Sequence, residues 1–161
     1  MKYLLDSNVF IEAKNRYYGF EFCPAFWDWI DQKHAEESVF SIEKVLDEIR
    51  GGADELADWA EERREMFLRP GTTDMNSLRV ASEWANAADY TSAAKRTFLE
   101  VADSFLVAQA HASEVAVVTH EVANGSRNVI KIPEACAGLE VRCIGPFEML
   151  RLERARFVLP V

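Results

Sequence analysis

Four acidic side chains stand where acids are costly. Asp6 follows the apolar run Lys2-Tyr3-Leu4-Leu5 directly, and Glu121 closes Thr119-His120-Glu121 after Val115-Ala116-Val117-Val118. Asp103 interrupts Val101-Ala102-Asp103-Ser104-Phe105-Leu106-Val107-Ala108, and Glu48 lies between Leu46 and Ile49, one helical turn on from Lys44. Each has an ordinary reading: Asp6 and Asp103 as helix caps, Glu121 as a loop acid, Glu48 as a solvated helix-face acid beside Glu43, Asp47 and Arg50. Together they ask for more, because an acid inside an apolar pattern must be paired or must line a polar cavity.

Carboxylates that converge without cations repel one another and raise each other's pKa values, and a hard divalent ion relieves that repulsion. Oxygen donors favour Mg²⁺ or Mn²⁺ over zinc. Such ions activate water and steady the oxygens of an in-line phosphoryl displacement, so the expected chemistry is phosphodiester hydrolysis. The chain has neither GxxxxGK[ST] nor GxGxxG, which removes the usual supports for nucleoside triphosphate and dinucleotide sites. Cys23, Cys136 and Cys143 show no CxxC spacing and read as buried thiols; His34, His111 and His120 are scattered.

The elements that must position these acids follow from hydrophobic patterning. Residues 2–5 read as a buried strand, and Asp6 or Ser7 caps a helix carrying Val9, Phe10 and Ile11. A helix is expected from Pro24 to Ala35. Ser41 looks like the N-cap of another in which Ile42, Val45, Leu46 and Ile49 share a face, closed by Gly51-Gly52. Residues 54–66 read as a helix, Phe67 to Pro70 as a short strand, and Thr73 as the cap of a helix to Ala87. A long helical pattern from Ser92 to Ser113 reads as one helix or as two broken before Val101. Val115 to Val118 is the clearest buried strand, Pro133 interrupts the next stretch, Leu139 to Ile144 alternates like a strand, and Pro146 starts a closing helix.

Strands alternating with helices imply an α/β fold, a three-layer α/β/α arrangement on a mostly parallel sheet. In such sheets ligands bind beyond the carboxyl ends of the strands, at a topological switch point. If the strands ending at Leu5 and Val118 are parallel neighbours, Asp6 and Glu121 project over one edge.

The 161 residues, 49% hydrophobic and 28% charged, suit one globular domain over 1–161, with no linker or repeat and no apolar run long enough for a membrane span. Asp6 interrupts the N-terminus before a signal-peptide core could form, so a cytoplasmic protein is expected. The net charge of −9 argues against coating nucleic acid by bulk electrostatics, and suits a basic protein partner. Lys95-Arg96, Arg127 with Lys131, and Arg151, Arg154 and Arg156 are candidate phosphate contacts, and Tyr17, Tyr18 and Trp27 candidate base-stacking groups; a solvated charged face and core or dimer packing are the plainer readings.

The four acids and their settings resemble the PIN domain, a family of metal-dependent nucleases. The matching pieces are Leu4-Leu5-Asp6-Ser7-Asn8, the helix ending Leu46-Asp47-Glu48-Ile49, the helix carrying Asp103 with Ala108 and Ala110 beyond it, and Val117-Val118-Thr119-His120-Glu121. They span roughly residues 2 to 145. The resemblance implies a PIN-like fold in which Asp6, Glu48, Asp103 and Glu121 are the catalytic acids holding Mg²⁺ or Mn²⁺, with Asn8 and Thr119 orienting them. The family often has Asp after Thr-Asn where this chain has Glu121 after Thr119-His120, and near the second acid Glu43 and Asp47 are alternatives to Glu48. Lys131-Ile132-Pro133-Glu134-Ala135-Cys136 with Val141-Arg142-Cys143-Ile144 is similar to a PIN-like branch of bacteria and archaea. Stand-alone chains of this size resemble VapC-type toxin ribonucleases, which implies RNA as substrate, a cognate antitoxin and a homodimer. The alternatives are a housekeeping or repair nuclease of the same fold and a non-catalytic PIN-like binding module. A phosphoacceptor receiver domain is disfavoured, since Ser7-Asn8 and His120 supply neither its acidic pair nor its lysine.

Overall fold

Leu4, Leu5, Val117 and Val118 are shut off from solvent on both sides, as strands sandwiched between helices must be. The computed structural model describes residues 1–161. Five strands, β1 (Tyr3–Leu5), β2 (Val39–Ile42), β3 (Phe67–Leu68), β4 (Ala116–Val118) and β5 (Cys143–Ile144), form an all-parallel sheet in the order β3-β2-β1-β4-β5. Nine α-helices connect and follow them: α1 (Ser7–Glu12), α2 (Pro24–Ala35), α3 (Glu43–Gly51), α4 (Glu55–Glu61), α5 (Thr72–Ala87), α6 (Ser92–Glu100), α7 (Ala102–Ser113), α8 (Ile132–Gly138) and α9 (Pro146–Leu152).

The chain runs outward from β1 through β2 to β3, then returns to the other side of β1 as β4. Right-handed crossovers then put α1 to α4 on one face and α5 to α8 on the other, giving the α/β/α layers. Side-chain packing agrees. On one face the rings of Phe10 (α1) and Trp27 (α2) both meet Trp59 (α4); on the other α7 packs against α5, α6 and α8. One core of 38 buried residues runs through both layers. No helix is long and apolar enough to cross a membrane.

Four departures from the sequence reading have clear causes. Ser41 caps no helix: it belongs to β2, and its hydroxyl donates to the Leu5 carbonyl at 2.6 Å. A serine hydroxyl can satisfy a strand neighbour as well as a helix end, and here it secures the residue before Asp6. The expected helix over 54–66 is α4 followed by a short 3₁₀ turn at Arg64–Met66. Pro133 does not interrupt structure but starts it, in the first turn of α8, where its missing N–H costs nothing. The alternating pattern from Leu139 holds only as Cys143–Ile144, because Glu140 turns the backbone at φ 57°. Of the two readings of 92–113 the structure has the broken one, with α6 ending at Glu100 and Val101 extended ahead of α7.

One contact fixes a residue type. Gly138 ends α8 against the indole of Trp84, and a β-carbon there would overlap the ring.

Candidate functional site

The topological switch lies between β1 and β4, whose register sets Leu5 beside Val118. Asp6 and Thr119, the next residues on each strand, therefore emerge side by side at the carboxyl edge. Asp6 is 4% exposed and caps α1, its Oδ1 accepting from the Ser7 amide at 2.7 Å. Its other oxygen, Oδ2, accepts from the Thr119 hydroxyl at 2.8 Å. Cap and site acid are thus one role, with the carboxylate held at both oxygens.

Thr119, 2% exposed, is the hub of the edge. Besides donating to Asp6, its Oγ1 accepts from Asn8 Nδ2 at 3.1 Å and from the Glu121 amide at 3.0 Å. A hydroxyl offers one donor and two acceptor positions, so this one is fully used. The Asn8 amide is oriented by the His120 N–H, which donates to its Oδ1 at 3.1 Å. Glu121 Oε2 accepts from the Ile132 amide at 2.8 Å, tying the β4 edge to the start of α8.

Asp103 reaches the same place from the first turn of α7. It is half-buried and is neither a cap nor hydrogen-bonded within the protein. Burial first, then repulsion from Asp6, Glu121 and Glu48, pushes its pKa up to about 7, against a smaller opposing pull from Lys131. Burial raises Asp6 to about 6, with Glu121 and Glu48 adding to it and the bonds from Thr119 and Ser7 resisting. All four acids therefore act on one electrostatic site. Of the two readings weighed for Glu48 the solvated one holds: it is exposed on α3 and joins by charge from the rim. The two alternatives to it are engaged elsewhere, Glu43 with Arg69 at 3.4 Å and Asp47 with Arg50 at 3.2 Å.

No three of these groups stand close enough, as placed, to enclose an ion. The donor set still fits a hard divalent cation: all four groups are carboxylates, Asp103 has no hydrogen-bond partner, and two carry pKa values raised partly by mutual repulsion. Asp6, Asp103, Glu121 and, from the rim, Glu48 are the residues that would hold it. The larger clefts of the molecule lie elsewhere. One of about 950 Å³ is beside Trp59 and Arg63, and one of about 610 Å³ is at the opposite end of β1 and β4, around Lys2 and Arg142. A cleft of about 430 Å³ runs along the β4–β5 edge past His120, Glu121 and Phe147.

Other sequence candidates separate cleanly. His34 bonds the Val39 carbonyl at 3.1 Å and His111 the Ser77 hydroxyl at 2.7 Å, both structural pairings. Lys95 bonds the Asn86 carbonyl and Arg127 pairs with Asp89, whereas Arg151, Arg154 and Arg156 are exposed with no ion pair. Lys131 is the cation that feels Asp103. Tyr18 and Trp27 pack inside, on Phe26 and Phe20, while Tyr17 stays exposed. Patterning missed one pairing. Cys136 on α8 and Cys143 on β5 are neighbours, and the nearby thiol together with burial pushes Cys136 up. No spacing rule announces that contact, since it depends on α8 folding back beside β5.

The chain belongs to the family described as a domain of unknown function, DUF4411, whose model matches residues 3–157. It matches no curated protein and no solved structure.

Proposed function

We propose that this member of the DUF4411 family is a Mg²⁺- or Mn²⁺-dependent endoribonuclease, with Asp6, Glu48, Asp103 and Glu121 as its catalytic acids. The observation that carries this reading is Asp103, half-buried in the first turn of α7 with no hydrogen-bond partner, its carboxyl raised by burial and by the charges of Asp6, Glu121 and Glu48, the first two of which follow strands at the switch point of a parallel sheet. Such a group is costly to keep unless something positive occupies the space beside it.

When bound, a divalent ion supplies activation of water and charge relief on phosphate oxygens. The rest falls to the chain's own groups. Thr119 and the Ser7 amide lock the Asp6 carboxylate in one orientation, so it spends no reorganisation on binding. Asn8 holds Thr119 in turn, and the Ile132 amide steadies one oxygen of Glu121. Lys131 offers the site a single positive charge for a phosphodiester or its product.

A toxin role in a toxin–antitoxin pair, a cognate antitoxin, a homodimer and a cytoplasmic location belong to the same proposal, resting on the PIN-like resemblance. A housekeeping or repair nuclease of the same fold would have the same acids without an antitoxin. One observation favours the non-catalytic binding module instead: the carboxylates do not close into a three-ligand cluster. Cleavage of mixed RNA substrates with Mn²⁺, Mg²⁺ or chelator separates these readings. Metal-dependent cutting that Asp6→Asn and Asp103→Asn each abolish, in folded protein, is the expected result. If wild-type protein cuts no RNA with either ion, the nuclease reading fails; if its expression is also harmless to cells, the toxin reading fails with it.

A further inference from the structure

Beside the acids lies a second feature that the carboxylate chemistry does not use. Tyr17, His120 and Phe147 come from three separate parts of the chain and meet at the surface. The Tyr17 and His120 rings stack at 5.6 Å with 25° between their planes. Phe147 stands edge-on to Tyr17 at 5.0 Å and 89°, and to His120 at 5.7 Å and 71°. Buried aromatics need no further account, but Tyr17 remains 42% exposed and Phe147 38% exposed.

The backbone brings this trio together by specific means. Tyr17 ends a π-helical turn, Ala13–Tyr17, closed by the Tyr18 amide on the Ala13 carbonyl at 2.7 Å. Wide turns of this kind are rare and are found frequently at functional sites. Phe147 enters at the start of α9. His120 sits between Thr119 and Glu121, with its own amide bonded to Asn8, so the trio is built onto the frame that holds Asp6. The cleft of about 430 Å³ lined by His120, Glu121 and Phe147 is continuous with that frame and within the size of small-ligand sites.

We propose that Tyr17, His120 and Phe147 form a stacking platform for an unpaired nucleobase, so that the substrate is single-stranded RNA with the base next to the scissile phosphate seated on the trio. This rests on the nuclease reading of the adjacent acids. An exposed π-surface beside a phosphodiester site fits a base because every base offers a π-face, whereas paired bases keep theirs inside the duplex. The platform also supplies affinity that an acidic protein cannot draw from phosphate contacts alone.

The test uses full-length protein carrying Asp6→Asn, so that binding is read without cleavage, and a short unstructured oligoadenylate RNA containing one 2-aminopurine. Quenching of its fluorescence on binding is expected, with about tenfold weaker binding for Tyr17→Leu and Phe147→Leu and recovery in Tyr17→Phe. Leucine keeps the apolar packing without a π-face, and thermal melts confirm that each variant folds. In the active protein the same leucine variants raise KM and leave kcat nearly unchanged. Leucine variants that bind the oligonucleotide like their parent, or a parent that binds the matching duplex equally well, overturn the platform even where metal-dependent cutting is intact. Quenching that needs Tyr17 in a protein that cuts nothing would uphold the platform as a binding site and sink the nuclease reading alone.

Discussion

Replacing Asp103 by Asn tests the electrostatic reasoning most directly, because it predicts a gain in stability together with a loss of function. Folding raises this carboxyl from 3.8 to about 7. A carboxyl raised on folding contributes stability that is fully present below its unfolded pKa and is lost as pH rises through its folded pKa. By pH 8 the loss amounts to about 4 kcal/mol, at about 1.4 kcal/mol per pH unit. Asn removes the charge but leaves a partly buried amide with poor partners, which costs about 2 kcal/mol. The net gain at pH 8 without metal is therefore about 2 kcal/mol, or about 4 to 8 °C in Tm for a chain of this size. At pH 5 the wild-type loss is only about 2 kcal/mol, so the two proteins should melt together. Mn²⁺ reverses the order. At a hundred times its Kd it stabilises wild type by about 2.7 kcal/mol, and the variant gains nothing. Circular-dichroism melts at pH 5 and pH 8, with chelator or with Mn²⁺, measure all of this. An Asn variant no more stable than wild type at pH 8 in chelator would refute the converging-charge argument, and equal stabilisation of both by Mn²⁺ would remove Asp103 from the metal site.

Other outcomes follow from the same geometry. Thr119→Val leaves Asp6 Oδ2, Asn8 and the Glu121 amide without their shared partner, so a loss of about 1 to 3 kcal/mol in denaturant melts and a 10- to 100-fold weaker Mn²⁺ affinity by calorimetry are expected, with Thr119→Ser close to wild type on both counts. Because Asp6 and Asp103 have pKa values of about 6 and about 7, Mn²⁺ binding at pH 6.5 should release protons, seen as a binding enthalpy that changes with the ionisation enthalpy of the buffer; the dependence should fade by pH 8.5. Gly138→Ala forces a methyl group into the Trp84 indole, and an equilibrium melt should lose about 1 to 3 kcal/mol, much of it restored by Trp84→Leu.

The acids that influence one another at the sheet edge were easier to read from the sequence than some of the scaffold. Asp6 was legible because a short buried strand ending in a capping acid is a local pattern, and Asp103 because a charge in an apolar helix has few explanations. That the sheet is mostly parallel came from the alternation of elements, and every strand pair is parallel; that β1 lies beside β4 was a condition the alternation left open, and it is met. Ser41 was misread because a serine before an apolar periodic run caps a helix in one context and ties two strands in another; only the Leu5 carbonyl decides it. Glu48 stood between an embedded and a solvated reading because helical spacing says which residues share a face and not how deep that face lies; it is exposed. The nearness of Cys136 to Cys143 and the Tyr17–His120–Phe147 cluster are both tertiary, and no periodicity reports them.

The strand order has a consequence for how the chain comes to fold. β1 is central, yet the bond from Thr119 to Asp6 closes over 113 residues of sequence, while β2 offers the earlier partner. Long-range parallel pairing of this kind is slow, and during synthesis it waits on residues not yet made. Until β4 emerges, Asp6 has neither Thr119 nor Glu121 beside it, and Asp103 has no formed sheet edge to meet. A nascent chain that stops short of β4 thus carries three acids of the set, Asp6, Glu48 and Asp103, without the strand that gathers them, so whatever the edge does begins only once the residues through Glu121 have left the ribosome.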